Sequence, residues 1–104
     1  MKQNLYVIYD SKANTTTPPF SCPTHESAKR NFIFGCLTSQ TPIEDCVLFH
    51  IGEFVVDDEH AETFSLVPHG HGYTVITVSQ ELIESYKKIF LRDFEEFEEK
   101  GVID

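Results

Sequence analysis

The sequence predicts an α+β domain built on an antiparallel sheet of about four strands. Three observations indicate this class: β-rich segments recur along the chain, one helical pattern follows the first strand, and a longer amphipathic pattern occupies the C-terminal quarter. Grouped strands with short connections favour antiparallel pairing and an α+β architecture. The 104 residues suffice for a single domain with one modest core, in which residues 79–104 form a C-terminal helical extension.

The central strand is predicted in the apolar run Asp45–Val56, which is rich in β-branched and aromatic residues and ends at an acidic turn. Apolar side chains occupy both alternating sets of positions, with Val47 on one face and Leu48 on the other. A run of this kind is typical of a strand that is covered on both sides. Gly52 interrupts the run and predicts a bulge or bend at Gly52 and Glu53.

Three further strands are predicted from runs of apolar, aromatic and β-branched residues, namely Leu5–Asp10, Thr63–Val67 and Tyr73–Val78. The connection between the first strand and the first helix contains two adjacent prolines, Pro18 and Pro19. Because proline lacks a backbone donor and favours extended geometry, this segment is predicted to be a loop, with Phe20 anchored in the core.

Two helices follow from helical spacing of apolar residues. Thr24 is the predicted N-cap of the first, and Ser79 that of the second. The buried stripe of the first helix is predicted to be Ala28, Phe32, Ile33, Cys36 and Leu37. The apolar face of the second is predicted to be Leu82, Ile83, Tyr86, Ile89, Phe90, Phe94 and Phe97, with Gly101 ending the helix.

Charge is distributed unevenly. The formal net charge is −9, and residues 44–78 hold seven acidic residues and neither lysine nor arginine. A field of this sign repels nucleic-acid phosphates and favours a protein partner with a basic surface. No apolar run of about 18 residues is present, so we expect no membrane-spanning helix. The N-terminal residues lack a signal-peptide pattern, and we expect a soluble intracellular protein.

Metal and cofactor binding are not expected. Cys22 and His25 form one pair of potential ligands, and His69 and His71 form another, but neither has the paired spacing of a zinc site. The three cysteines form no close pair, which fits a reducing compartment and small buried side chains. The acidic turn after the central strand lacks the ligand spacing of a calcium loop and is interpreted as a solvated turn.

Catalysis is not expected either. A cysteine nucleophile would need a histidine within hydrogen-bond distance, and Cys46 and His50 stand four residues apart on one strand, roughly 13 Å. Glycine-rich phosphate loops and a hydrolase serine elbow are absent from the sequence. No catalytic residue is therefore predicted, and we expect that the protein is not an enzyme.

A family resemblance is found in several segments that occur in order. They are residues 5–13, the Pro18–Phe20 segment, Ala28, Arg30 and Phe32 on the first helix, and residues 45–54 with the acids after them. Together they resemble the small non-structural protein of gokushovirus-type microviruses, which are small single-stranded DNA phages. The resemblance spans about residues 5–59. It implies an accessory of viral DNA replication and single-stranded genome synthesis in the host cytoplasm, absent from the virion.

Two hypotheses about function remain open. In the first, the protein is an adaptor that binds a phage or host replication protein through Asp57, Asp58, Glu59, Phe90, Phe94 and Phe97. In the second, it binds single-stranded DNA through Lys2, Lys12, Lys29 and Arg30, with Tyr6, Tyr9 and Phe20 as stacking platforms. The apolar face of the last helix has two interpretations as well: it covers the sheet, or its surplus phenylalanines form a homodimer or partner surface.

Overall fold

A computed structural model describes residues 1–70 and 72–99, with side chains described as far as Arg92. Six strands and two α-helices follow one another along the chain. In order they are β1 (Lys2–Asp10), β2 (Thr15–Thr16), β3 (Phe20–Cys22), α1 (His25–Ser39), β4 (Cys46–Val56), β5 (Phe64–Pro68), β6 (Thr74–Ile76) and α2 (Gln80–Glu99). A short 3₁₀ turn, Ile43–Asp45, leads into β4.

All six strands form one antiparallel sheet in which β1 and β4 are the two middle strands. The outer side of β1 is paired by β2 and then β3, and the outer side of β4 by β5 and then β6. The expected number of about four strands is therefore wrong. The sheet has four rows, but each outer row is split, one at Pro18 and Pro19 and the other at residues 69–73.

The ladder between β1 and β4 runs from Lys2 opposite Val55 to Asp10 opposite Cys46. Its register shifts by one residue, because Leu5 pairs with Gly52 and the next residue of β1 pairs with His50. The extra residue of this bulge is therefore Ile51. The irregularity predicted at Gly52 and Glu53 exists, but it lies immediately before Gly52.

The first helix begins as the sequence predicts. The Thr24 hydroxyl accepts the backbone N–H of Ser27 at 3.1 Å, and the Ser27 hydroxyl accepts that of Thr24 at 3.3 Å, which completes a capping box. The helix ends at Gln40, whose backbone is left-handed, with φ of 58°. Four of the five residues predicted for the buried stripe are buried, and Leu37 is partly buried against them.

Both helices lie on the same side of the sheet. Tyr6 and Leu48 project from the middle strands into a core shared with Phe32 and Ile33 of α1 and with Ile83 of α2. The expected order, with a helix directly after the first strand, is corrected in one respect: β2 and β3 precede α1. These two strands have only two and three residues, too few for a period of two to be visible.

Helix α2 packs on α1 as well as on the core. The Ser79 hydroxyl accepts the backbone N–H of Leu82 at 3.2 Å, as expected of an N-cap. The rings of Tyr86 and Phe90 lie 5.2 and 6.3 Å from that of Phe34 on α1. Phe94 and Phe97 were predicted for the apolar face of this helix, and Gly101 was predicted to end it. The side chains of Phe94 and Phe97, and residue Gly101, lie outside the part of the chain that the structure describes. Across the two described ranges, neither helix combines the length and apolar character that a membrane crossing requires.

Glycine 52 offers a direct test of the sheet. A Cβ atom at this position would overlap the Val67 carbonyl oxygen and stand 3.0 Å from Pro68 Cα, both backbone atoms of β5. We expect Gly52→Ala to lower the free energy of unfolding by about 2–3 kcal/mol, because β5 must move away. Urea unfolding followed by circular dichroism measures the change.

The matched control is Gly35→Ala on α1, where an added Cβ meets no atom within 4 Å. Alanine has the higher helix propensity, so this variant should gain up to about 1 kcal/mol. Equal effects of the two substitutions would contradict the close approach of β4 and β5.

Candidate functional site

Three histidines from distant parts of the chain meet on the helix-covered side of the sheet. His25 is the first residue of α1, His50 lies in β4, and His69 follows β5. The His50 ring lies 5.0 Å from the His25 ring and 4.3 Å from the His69 ring, measured between centroids. The fully buried Tyr6 ring completes the cluster at 5.2 Å from His50.

Two hydrogen bonds organise this histidine cluster. The Tyr6 hydroxyl lies 2.6 Å from His25 Nδ1, and His50 Nδ1 lies 2.7 Å from His69 Nε2. The remaining ring nitrogen of His50, Nε2, is buried and has no hydrogen-bond partner among the described residues. Burial is the main cause that lowers the pKa of His50, and the neighbouring His69 and His25 lower it further, so the imidazole is neutral at neutral pH.

Sequence spacing gave no signal for this cluster. The cluster depends first on the register that places Tyr6 opposite His50. It depends also on the chain after β5, where the His69 ring contacts the His50 ring on β4. Among the side chains that the structure describes, in residues 1–70 and 72–92, no group of three or more His, Cys, Asp or Glu is arranged to hold a metal ion. His71, considered with His69 as a ligand pair, lies outside the described residues.

The three cysteines are all free thiols. Cys36 and Cys46 are neighbours across α1 and β4, and burial raises the pKa of the Cys36 thiol to about 12. Burial is likewise the main cause that raises the pKa of Cys46. Cys22 is buried and its sulfur accepts a hydrogen bond from the Asn31 side-chain amide at 3.2 Å. Because their pKa values are raised, the thiols of Cys36 and Cys46 are weak nucleophiles.

In the part of the chain that the structure describes, no helix packs against the opposite side of the sheet. Side chains alternate between the two sides of a strand. Because Leu48 and His50 face the core, the residues that alternate with them, and the cross-strand partners of those residues, face this opposite side. We call this surface the open face. Its members are Leu5, Val7, Tyr9, Val47, Phe49, Ile51, Phe54, Phe64, Leu66, Tyr73 and Val75.

Several open-face side chains are well exposed. Phe64 and Leu66 on β5 are 62% and 65% exposed, and Tyr73 and Val75 at β6 are 66% and 54% exposed. Aromatic contacts run across the strands: Phe49 and Tyr73 lie 4.6 Å apart, and Phe54 and Phe64 lie 5.8 Å apart, between ring centroids. The sequence predicted β4 to be covered on both sides, but the described residues cover it on one side only.

An acidic turn, residues 57–62, joins β4 to β5. The Asp57 carboxylate accepts the backbone N–H groups of Glu59 and His60 at 2.8 and 3.1 Å, so it shapes the turn. Asp58 is 83% exposed and pairs with the amino terminus at 2.5 Å. The turn is solvated, as its sequence indicates, and it adjoins the exposed end of β5.

Comparison with known proteins adds the family. The phage ORF5 protein family matches residues 3–80. The chain belongs to this family. No curated protein and no solved structure matches the chain. The match covers α1 and, apart from Lys2, all six strands, and it ends where α2 begins.

The residues proposed for DNA binding in this phage protein do not share one surface. Lys2 and Lys12 flank β1 at opposite ends, roughly 30 Å apart along the strand, and Lys29 and Arg30 lie on α1. Lys2 pairs with Glu53 at 2.9 Å, and Lys29 with Glu26 at 3.1 Å.

The three aromatic residues proposed as stacking platforms do not form one exposed surface, because Tyr6 and Phe20 pack together in the core and Tyr9 lies on the open face. Tyr6 is wholly buried, which corrects its proposed role because no base can reach its ring. Phe20 is partly buried and stacks on Tyr6 with 5.7 Å between ring centroids, which confirms it as a core anchor. Tyr9 lies on the open face, and its hydroxyl donates to Asn14 Oδ1 at 3.1 Å.

The residues proposed for partner binding divide similarly. Asp57, Asp58 and Glu59 are together in the acidic turn. Phe90 is partly buried beside Phe34 on the helical side of the sheet, whereas the Phe94 and Phe97 side chains are not described. The sequence did not reveal the open face as a separate surface, although its signal was present in the apolar residues on both sides of β4.

His50 makes the stability of this phage protein dependent on pH. Its pKa is lower in the folded chain than the value of about 6.5 expected in the unfolded chain, so the unfolded state binds more protons as the pH falls. Stability should be full above about pH 6.5 and decrease below it. In His50→Phe, urea unfolding at a series of pH values from neutral to mildly acidic should show a shallower decrease.

His60→Gln is the matched control, because it removes a histidine that is 63% exposed in the acidic turn. This control should retain the wild-type pH dependence. An unchanged slope in His50→Phe would contradict the assignment.

Proposed function

We propose that this phage protein is a non-enzymatic accessory of viral DNA replication and single-stranded genome synthesis of the gokushovirus type. In this proposal it acts in the host cytoplasm as an adaptor that holds a phage or host replication protein. Membership of the phage ORF5 protein family supports the phage origin. The microvirus resemblance of the segments in β1, α1 and β4 supports the role in replication.

The observation that supports an adaptor is the combination of charge and apolar surface at the β4–β5 hairpin. Glu59 and Glu62 are exposed in the acidic turn, and Phe64 and Leu66 follow them as exposed apolar residues on β5. Acidic side chains around apolar anchors complement a protein surface that has basic residues around an apolar pocket. The negative field would draw such a partner in and repel nucleic acid.

The nearby positive groups do not offset this surface. The amino terminus is paired with Asp58, and Lys2, which stands opposite Val55 on β4, is paired with Glu53. An incoming basic protein therefore meets a net negative hairpin. The partner proposed is the phage replication initiator or a host replication protein, the class that the microvirus resemblance implies.

Charge neutralisation at the hairpin tests the adaptor. We expect Asp58→Asn, Glu59→Gln and Glu62→Gln together to weaken binding to the purified phage replication initiator, or to a replication protein recovered from infected cells, by about tenfold. Asp57 is left intact because its carboxylate shapes the turn. Surface plasmon resonance gives the dissociation constants, and mass spectrometry identifies the recovered protein.

The matched control removes three acidic charges elsewhere, at Glu44, Glu81 and Glu84, all of which are exposed. This control should bind nearly as well as the wild type. Equal losses in the two triple variants would point to net charge alone, and failure to bind any replication protein would contradict the adaptor.

Direct binding of single-stranded DNA is the second candidate, and one observation favours it: the rings of Tyr9, Phe49 and Tyr73 share a depression on the open face. Aromatic rings on a sheet are suitable platforms for stacked bases. Fluorescence anisotropy with a single-stranded oligonucleotide at about 50 and 200 mM salt tests it, because phosphate contacts weaken steeply with salt. Absence of saturable, salt-sensitive binding would remove this candidate.

A further inference from the structure

The open face has the composition of a buried layer. None of the eleven side chains that define it carries a charge, although the whole chain has a formal net charge of −9. The charged strand residues Lys2, Asp10 and Glu53 occupy the alternate positions, on the side of the helices. A surface exposed only to water has no physical reason to exclude charge from so many adjacent positions.

We propose that the open face is the interface of a homodimer, in which the sheets of two copies pack against each other. Each sheet would then lie between its own helices and the partner's sheet. This arrangement supplies the second covering layer that the apolar residues on both sides of β4 indicate. The inference concerns self-association, and the interface shares Phe64 and Leu66 with the apolar part of the surface proposed for the replication partner.

The exposed area is close to what a stable dimer needs. Phe64, Leu66, Tyr73 and Val75 are each more than half exposed. With roughly 200 Å² for a full aromatic side chain and less for the aliphatic ones, these four present about 450 Å². The partly exposed neighbours raise the face to about 700 Å², compared with the ~800 Å² per partner of a standard interface and the ~300–600 Å² of a typical monomer's largest apolar patch.

Charge favours a second copy over nucleic acid. An uncharged face meets an identical face without burying any unpaired charge, and burial of an unpaired charge is strongly unfavourable. DNA would need cations around the aromatic rings, and none of the open-face strand positions supplies one. Twofold symmetry requires only that the face complement itself, and two apolar sheets do so at a separation of about 10 Å.

Salt dependence follows from the same charges. Each copy bears a formal charge of −9, so the two copies repel each other at low ionic strength. Salt screens this repulsion, and the dimer should be tighter at about 200 mM than at about 50 mM salt. Binding of DNA by the open face would show the opposite trend, because it would release counterions.

The experiment compares the full-length wild type with Leu66→Lys and Val75→Lys combined, by sedimentation equilibrium over a concentration series at the two salt concentrations. Both positions are exposed in the single chain, so the lysines can be solvated in a monomer, but in a dimer they would be buried. We expect a dimeric wild type, and a dissociation constant at least about 100-fold higher in the variant. Circular dichroism checks that the variant is folded.

The matched control places the same two lysines outside the open face, at Val67 on the other side of β5 and at Leu91 on α2, which are 46% and 57% exposed. It should dimerise like the wild type. If the Leu66 and Val75 lysine variant fails to fold, Leu66→Thr with Val75→Thr replaces it, because threonine is compatible with strands.

Three results would overturn the proposal. The first is a wild type that remains monomeric up to about 100 μM. The second is a dimer that survives the Leu66 and Val75 substitutions in a folded protein. The third is a dimer lost in the Val67 and Leu91 control, which would place the interface on the helical side. Oligonucleotide binding that weakens with salt and is lost in the Leu66 and Val75 variant would assign the open face to DNA instead.

Discussion

The ladder between β1 and β4 is the interaction on which the rest of the fold depends. These two strands pair along almost their whole length, and every other strand is attached to one of them. The same pairing sends Tyr6 and Leu48 into the core against α1. Ile51 is the extra residue within this ladder, and Gly52 allows the backbone of β5 to approach at that point. A larger residue there would separate the outer row from the sheet.

The helices cover only one side of the sheet, and this explains why the surface has a large apolar area. Helices α1 and α2 enclose one side of the sheet, while the apolar side chains of the open face remain uncovered within the chain. No charged side chain is among the eleven of the open face, and the acidic residues of the β4–β5 turn lie at its border beside Phe64. An apolar surface with a charged border has the composition of many protein-binding surfaces, and its acidic residues repel phosphates.

The histidine cluster shows how register brings chemistry together. His50 is placed opposite Tyr6 by the bulged ladder, and His69 reaches it because the outer row is interrupted between β5 and β6. Burying His50 with Nε2 unpaired disfavours the charged imidazole, and the cluster therefore links protonation to the stability of the sheet. His25 is exposed and His69 is partly exposed, whereas His50 at the centre of the cluster is buried in the core.

Local patterns determined much of this fold. The Thr24 cap, the buried stripe of α1, the long central strand and the N-cap of α2 all follow from interactions within a few residues, and the sequence alone predicted them. The phage origin expected from segments in β1, α1 and β4 agrees with the phage ORF5 family match, which covers residues 3–80. The short strands β2 and β3 were missed, because two or three residues show no periodicity.

Tertiary structure decided what no local pattern contains. Strand alternation showed that β4 is apolar on both sides, but only the placement of α1 and α2 on one side defined the open face. Likewise, only the register could show that Tyr6 is enclosed while Tyr9 is not. The periodicity of side chains along a strand depends on the backbone of that one segment. Which side of a strand is buried, and which side chains lie near each other, depends on which segments pack together. The sequence therefore determined that β4 has two apolar sides, and the fold determined which of them remains available to a partner.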